Sequence, residues 1–178
     1  MPDQKILSTK TVYHSKYFKV NQNTIERNGK TFTKDFIERN PAVLIIPFTQ
    51  DDEIYIELQF RDALNRMSLE LVAGNIDGDE DPLDAAKREL KEEAGLEAGN
   101  WKKLYVWNLS PSLLSKIHVF AATDIKEGVQ KLDYDEEISI QKVPLQELLK
   151  KIEDGEVAAS SHIAAILLFD KLRKERKL

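Results

Sequence analysis

Apolar residues alternate with polar ones through the first 40 residues, where "TVYHSKYFKVNQNTIERNGKTFTKDFIER" reads as strand segments. Asn28-Gly29 marks a hairpin turn between two of them. "AVLIIPF" (42–48) is apolar throughout, as a strand buried on both faces would be, and "EIYIELQF" (53–60) is predicted to follow it as a second strand. "SLELVAG" reads as one further short strand ending at Gly74, and 103–110, 116–125 and 138–145 as later strands. The helical period is clearest over 82–94. Asp81 stands there as N-cap, Pro82 at the first helical position, and Gly95 as the left-handed C-terminal cap. "PLQELLKKIEDG" (144–155) and "SSHIAAILLFDKLRKER" (160–176) are predicted as closing helices, the last capped by Ser160 or Ser161. The class expected is α+β, a mixed β-sheet sandwiched between helices (an α/β/α layering), with an N-terminal antiparallel β segment.

Composition narrows this little. The chain has 178 residues, enough for one domain with a real core, and its apolar and charged fractions are ordinary for a globular protein. It has no cysteine, which excludes disulfides, thiolate metal sites and a Cys nucleophile and fits a cytoplasmic location. The apolar run "IAAILLF" is too short to span a bilayer, and "MPDQKILSTK" lacks a signal peptide's apolar core. A net charge of -5, with basic residues clustered only in the tail "KLRKERKL", argues against nucleic acid as a partner.

Chemistry concentrates in the 82–94 helix. At about 100° per residue, Leu83, Ala86, Leu90 and Ala94 fall together as the core stripe. Glu89, Glu92 and Glu93 lie beside that stripe, at the shoulder of the core. Arg88, one turn before Glu92, can pair with it, which leaves Glu89 and Glu93 without a cation on their own helix. Two half-buried carboxylates one turn apart suit a hard divalent cation, Mg²⁺ or Mn²⁺. A solvated Glu/Lys helix, with Lys87 and Lys91 nearby, would give a similar local pattern.

The longer spacing separates these readings. From Gly74 the chain runs five residues to Glu80, then seven to Arg88-Glu89-Leu90, then Glu92-Glu93 and Gly95-Leu96. These are the fixed positions of the Nudix box, and chance agreement is on the order of 10⁻¹⁰ per starting point. The protein resembles the Nudix hydrolases. The resemblance implies the Nudix fold, a loop–helix–loop site, and a metal set of Glu89, Glu92, Glu93 and the Ala73 carbonyl. Glu92 and Arg88 also join the catalytic group it implies, with Arg88 and Glu80 as braces.

The flanks resemble the ADP-ribose pyrophosphatase and nucleoside diphosphate sugar hydrolase group. "LQFRDALNRMSLELVAG" matches its approach to the box, and Pro111 falls fifteen positions after Leu96, at the group's marker proline. "DEEISIQKVPLQELLKKIEDGEVAASSHIAAILLF" resembles its tail. The likeness implies substrate contacts at Arg61, Glu70, Lys34 and Pro111. Ser112 and the "SLLSK" loop depart from the group's glycine and glutamate, which keeps guanosine-linked sugars such as GDP-mannose beside ADP-ribose as candidates.

The implied reaction is attack of water on one phosphorus of a pyrophosphate, giving AMP and ribose 5-phosphate from ADP-ribose. A carboxylate must take the proton. The resembling enzymes supply it from a loop, here "LDYDEEI", with Glu136 expected first and Glu137 second. Alternation into "ISI" sends those two to opposite faces. Tyr13, Tyr17 and Phe18 are candidates for stacking on a base, or for sheet packing. His14, His118 and His162 lack metal-ligand spacing and read as structural. The resemblance further implies a homodimer formed through a 1–40 segment, with 41–178 as the hydrolase domain. The rival functions are a non-catalytic ADP-ribose sensor and a nucleoside triphosphate pyrophosphatase.

Overall fold

A computed structural model of the chain describes residues 3–132, 134 and 136–178. Its contacts group into two units, Met1–Pro41 with Trp107–Ile117, and Ala42–Val106 with His118–Leu178.

In the first unit, β1 (Gln4–His14), β2 (Phe18–Arg27) and β3 (Lys30–Arg39) form an antiparallel meander. Asn28 (φ 52°) and Gly29 (φ 73°) turn β2 into β3, both left-handed as the Asn-Gly signal predicts. β3 pairs in parallel with the start of β9 (Leu113–Glu127), Ile37 against Leu113. Every residue of β1 is exposed, Ile6, Leu7, Val12 and Tyr13 included. Tyr13 and Phe18 pack on one another with ring centroids 5.5 Å apart, and Tyr17 is exposed.

In the second unit, β4 (Ala42–Pro47) is the spine, buried from Val43 to Pro47. It lies between β9 and β7 (Val72–Asn75), and β8 (Leu96–Ser110) pairs with β9. A separate three-stranded sheet orders β10 (Ile138–Pro144), β5 (Glu53–Arg61) and β6 (Arg66–Glu70). Helix α1 (Pro82–Glu92) packs on β4 and β7, while α3 (Ser160–Lys174) packs on β4 and on α2 (Leu145–Glu153). Val43 and Ile45 join Ala85, Ala86, Leu90 and Ala94 in one core, and Phe48 meets Phe169 of α3 edge-on at 4.9 Å. The α+β class with a mixed, helix-covered sheet is as expected.

Two local expectations are corrected. "SLELVAG" is two strands, not one: the chain leaves one sheet at Glu70 and enters the other at Val72. Leu71 makes the crossing fully buried, and its N–H donates to His162 Nδ1 at 2.9 Å, since no ladder partner is available there. Neither Ser160 nor Ser161 caps α3. Ala159 holds the N-cap position without a side-chain bond, its carbonyl accepting from the His162 and Ile163 N–H groups.

Candidate active site

Helix α1 begins as its sequence requires. Asp81 accepts from the Leu83 N–H at 2.8 Å, and Pro82 occupies a position whose missing N–H costs nothing. Leu90, fully buried, anchors the inner face with about 1.5–3 kcal/mol of apolar burial. The helix ends at Glu92, and Gly95 (φ 65°) lets the chain turn so that its N–H reaches the Lys91 carbonyl.

On the shoulder of that core, Glu89 and Glu93 are each only 9% exposed. A Cβ built on Gly74 would stand 1.9 Å from the Glu89 carboxyl carbon, so β7 and this side chain touch with no room for a methyl group. Glu93 accepts from the Ala73 N–H at 3.3 Å. Arg88 braces the outer side, with two 3.0 Å hydrogen bonds to Glu80, one to the Asn75 carbonyl at 3.0 Å, one to Glu89 at 2.8 Å and one to Glu92 at 3.3 Å. Glu89 thus has a cation on its own helix, contrary to the expectation. The Glu80 and Asn75 contacts lay the guanidinium along the helix, within reach of adjacent as well as i+4 carboxylates.

β5 and β6 carry a second charged cluster. Arg61 donates through Nε and Nη2 to both Glu70 oxygens, at 2.8 and 2.5 Å. Burial is the largest single influence and would push the Glu70 carboxyl up, but the Arg61 hydrogen bonds and charge, with His162 and Ser68, together hold it below its ordinary value. Glu70 also lies 3.8 Å from His162 Nε2. That imidazole is pushed down to about 4 by burial, so at neutral pH it is uncharged and Arg61 is the working counter-ion.

Sequence reasoning missed Glu57. It is 2% exposed, its Oε1 has no hydrogen-bond partner among the described residues, and it stands opposite Glu70 in the β5–β6 register. Its signal was present: Glu57, Gln59 and Arg61 alternate on one strand face. Desolvation, then the charges of Glu93 and Glu70, push the Glu57 carboxyl up to about 10. Glu93 rises to about 8, by burial and by the charges of Glu89 and Glu136. Glu89 also rises through burial, which Arg88 opposes.

The other anticipated residues are placed as follows. Glu136 is half-buried and its charge acts on Glu57, Glu89 and Glu93, while Glu137 is exposed. Asp133 and Asp135 of the same acidic segment lie outside the described residues. Ala73 sits on β7 beside Glu93. Lys34, exposed on β3 opposite Asn23, and Pro111, exposed between β8 and β9, belong to the first unit and not to the one that carries the carboxylates.

Among the described residues, no three carboxylate or imidazole side chains already meet at coordination distance, so closing on a cation requires rotamer shifts. The donor set nevertheless fits a hard divalent ion: buried carboxylates that raise one another's proton affinity gain most from a cation in their midst. Two open clefts of about 340 Å³ lie elsewhere, one beside Asp81, Trp101 and Lys103, the other beside Tyr55, Gly95 and Lys142. Neither is lined by these carboxylates.

A helix of clustered carboxylates, clamped to a glycine strand and braced by one arginine, offers the oxygen donors that a metal-dependent hydrolase of phosphoric anhydrides needs. The NUDIX domain family matches residues 38–163, and the chain belongs to that family. It is a pyrophosphohydrolase, in a family whose hydrolases generally use divalent metal ions. The chain is 30% identical to an ADP-ribose pyrophosphatase of Bacillus subtilis (87% of this chain, 86% of the relative). It is 28% identical to a methanol dehydrogenase activator of Bacillus methanolicus, over 92% and 91%. A crystal structure of an ADP compounds hydrolase superposes with a TM-score of 0.85 at 26% identity, covering 98% of this chain and 97% of that one.

Proposed function

We propose that the protein hydrolyses the pyrophosphate bond of nucleoside diphosphate sugars with Mg²⁺ (Mn²⁺ able to replace it), ADP-ribose first among them and GDP-mannose in the same class. The carrying observation is the set of Glu89 and Glu93 in the core wall with Glu136 electrostatically facing them. The name of the Bacillus subtilis relative points to ADP-ribose.

Glu89, Glu92, Glu93 and the Ala73 carbonyl would hold the ion. When bound, it neutralises phosphate oxygens and lowers the pKa of a coordinated water. The chain's own groups do the rest. Arg61 turns its Nε and Nη2 edge to Glu70, which leaves the Nη1 edge for a phosphate or terminal ribose oxygen. Arg88 and Glu80 fix the outer carboxylates. Glu136 accepts the proton of the attacking water as its oxygen bonds to one phosphorus and the bridging P–O bond breaks. ADP-ribose then leaves as AMP and ribose 5-phosphate. Lys34 and Pro111 are assigned to the substrate, as expected from sequence. A second copy of this chain is the proposed partner, meeting the apolar surface of β1, and the cytoplasm is the proposed location.

Turnover of ADP-ribose, GDP-mannose, dinucleotides and nucleoside triphosphates with Mg²⁺ tests the reading. ADP-ribose should give the highest kcat/KM, and tight binding without turnover would make the protein a sensor instead. Glu136→Gln should lower kcat by about 10²–10⁴-fold, the usual worth of a general base, and Glu137→Gln by far less. The reverse order would move the base to Glu137.

A further inference from the structure

The buried carboxyl of Glu57 has no partner in the ion-pair scheme above. Arg61, four residues along the same strand face, spends both observed hydrogen bonds on Glu70. Arg88 is committed to Glu80, Glu89 and Glu92. Glu57 is left 2% exposed, with an Oε1 that no described residue bonds, opposite Glu70 in register and within electrostatic reach of Glu93, Glu70, Glu136 and the opposing charge of Arg61. A carboxyl used only as filler gains nothing over glutamine or leucine there, since its ionised form is penalised by burial and by every acidic neighbour. A carboxyl that a cation reaches gains a great deal.

We propose that Glu57 is a further ligand of the divalent cation, offered from β5, so that Glu57 and Glu93 grip one ion from two elements. This rests on the reading of the α1 carboxylates as a cation site. The ligand chemistry is all-oxygen, which selects Mg²⁺ or Mn²⁺ over thiophilic metals.

Free Mn²⁺ followed by electron paramagnetic resonance, with the full chain and no substrate, gives a readout independent of turnover. Wild type, Glu57→Gln, Glu93→Gln and Glu97→Gln are titrated in parallel. Glu97 is an exposed carboxylate paired with Lys91, and its variant controls for the loss of one negative charge. Glu97→Gln should match wild type, and Glu57→Gln should bind at least about tenfold more weakly, as Glu93→Gln should. A Glu57→Gln curve superimposed on wild type, beside a weakened Glu93→Gln, overturns the role of Glu57 and leaves the helix site standing. No Mn²⁺ uptake by wild type overturns both. If Glu57→Gln does not fold, Glu57→Leu takes its place: its metal-free Tm should be no lower than wild type, and its Mn²⁺-induced rise in Tm smaller. A lower metal-free Tm with an undiminished rise overturns the proposal.

Discussion

Gly74 lies so close to the Glu89 carboxyl that any side chain there would have to displace it. A methyl group would drive that carboxyl off β7, so Gly74→Ala should cut kcat by about 10²-fold or more, in line with misplacing a reacting group by an ångström. Steady-state kinetics at saturating Mg²⁺ check this. His162 tests burial in the opposite way. Its folded pKa, about 4, lies below the roughly 6.5 of an exposed histidine, so between those values the native chain binds fewer protons than the unfolded one. Its contribution to stability is complete above pH 6.5 and is lost as pH falls toward 4. Glu70 of β6 and Arg61 of β5 are the charged groups facing it, with opposite effects on its proton. His162→Asn keeps an acceptor for the Leu71 N–H, so its Tm should fall less between pH 6.5 and 4 than that of wild type. Parallel melting curves at each pH isolate the difference. At this scale the sequence was readable wherever chemistry ties a residue type to a spacing. Gly74, Glu80, Arg88, Glu89, Glu92 and Glu93 stand so arranged, and Glu136 and Glu137 separate by alternation. Glu57 escaped because its alternation with Gln59 and Arg61 reads equally as a solvated strand face until burial and its neighbours are known.

Among the elements, helix α1 ends against a stretch of chain that returns from β9. The Gly95 carbonyl accepts from the Gly128 N–H at 2.7 Å and the Glu92 carbonyl from the Lys131 N–H at 2.8 Å. Gln130 Nε2 donates to the Glu93 carbonyl at 2.5 Å and to that of Ile138 at 3.3 Å. These bonds satisfy the helix's terminal carbonyls and tie them to the segment leading to Glu136. Gln130→Ala should therefore lower kcat by about tenfold, with a much smaller change in KM. A thermal shift without a kinetic one would assign Gln130 to stability alone. No motif announces such a bond, because a glutamine amide meeting a carbonyl depends on where two distant segments come to lie. The split of "SLELVAG" was hidden for a related reason. Alternation reports which residues face inward, but not which sheet a strand joins.

For the molecule as a whole, β1 is an edge strand exposed along its length, with Ile6, Leu7, Val12 and Tyr13 in the open. An uncovered apolar edge of this kind favours a second chain. Sedimentation should report two chains per particle for wild type and one for an Ile6→Glu, Val12→Glu double variant. A dimeric double variant would place the contact elsewhere. The two-layered helix covering of β4 was legible from "AVLIIPF", whose unbroken apolarity requires cover on both sides. Among the described residues no helix is long and apolar enough to cross a membrane.

The handover at Leu71 joins two halves of the chemistry. Glu70, bound to Arg61, ends one sheet, and Ala73, beside Glu93, belongs to the next, with only Leu71 and Val72 between them. So short a tether, pinned by an imidazole, allows little slack between the proposed grip on the sugar nucleotide and the proposed grip on the ion. Any shift that one ligand imposes on its half is passed to the other, so each ligand should change the affinity of the second by the same factor in either order.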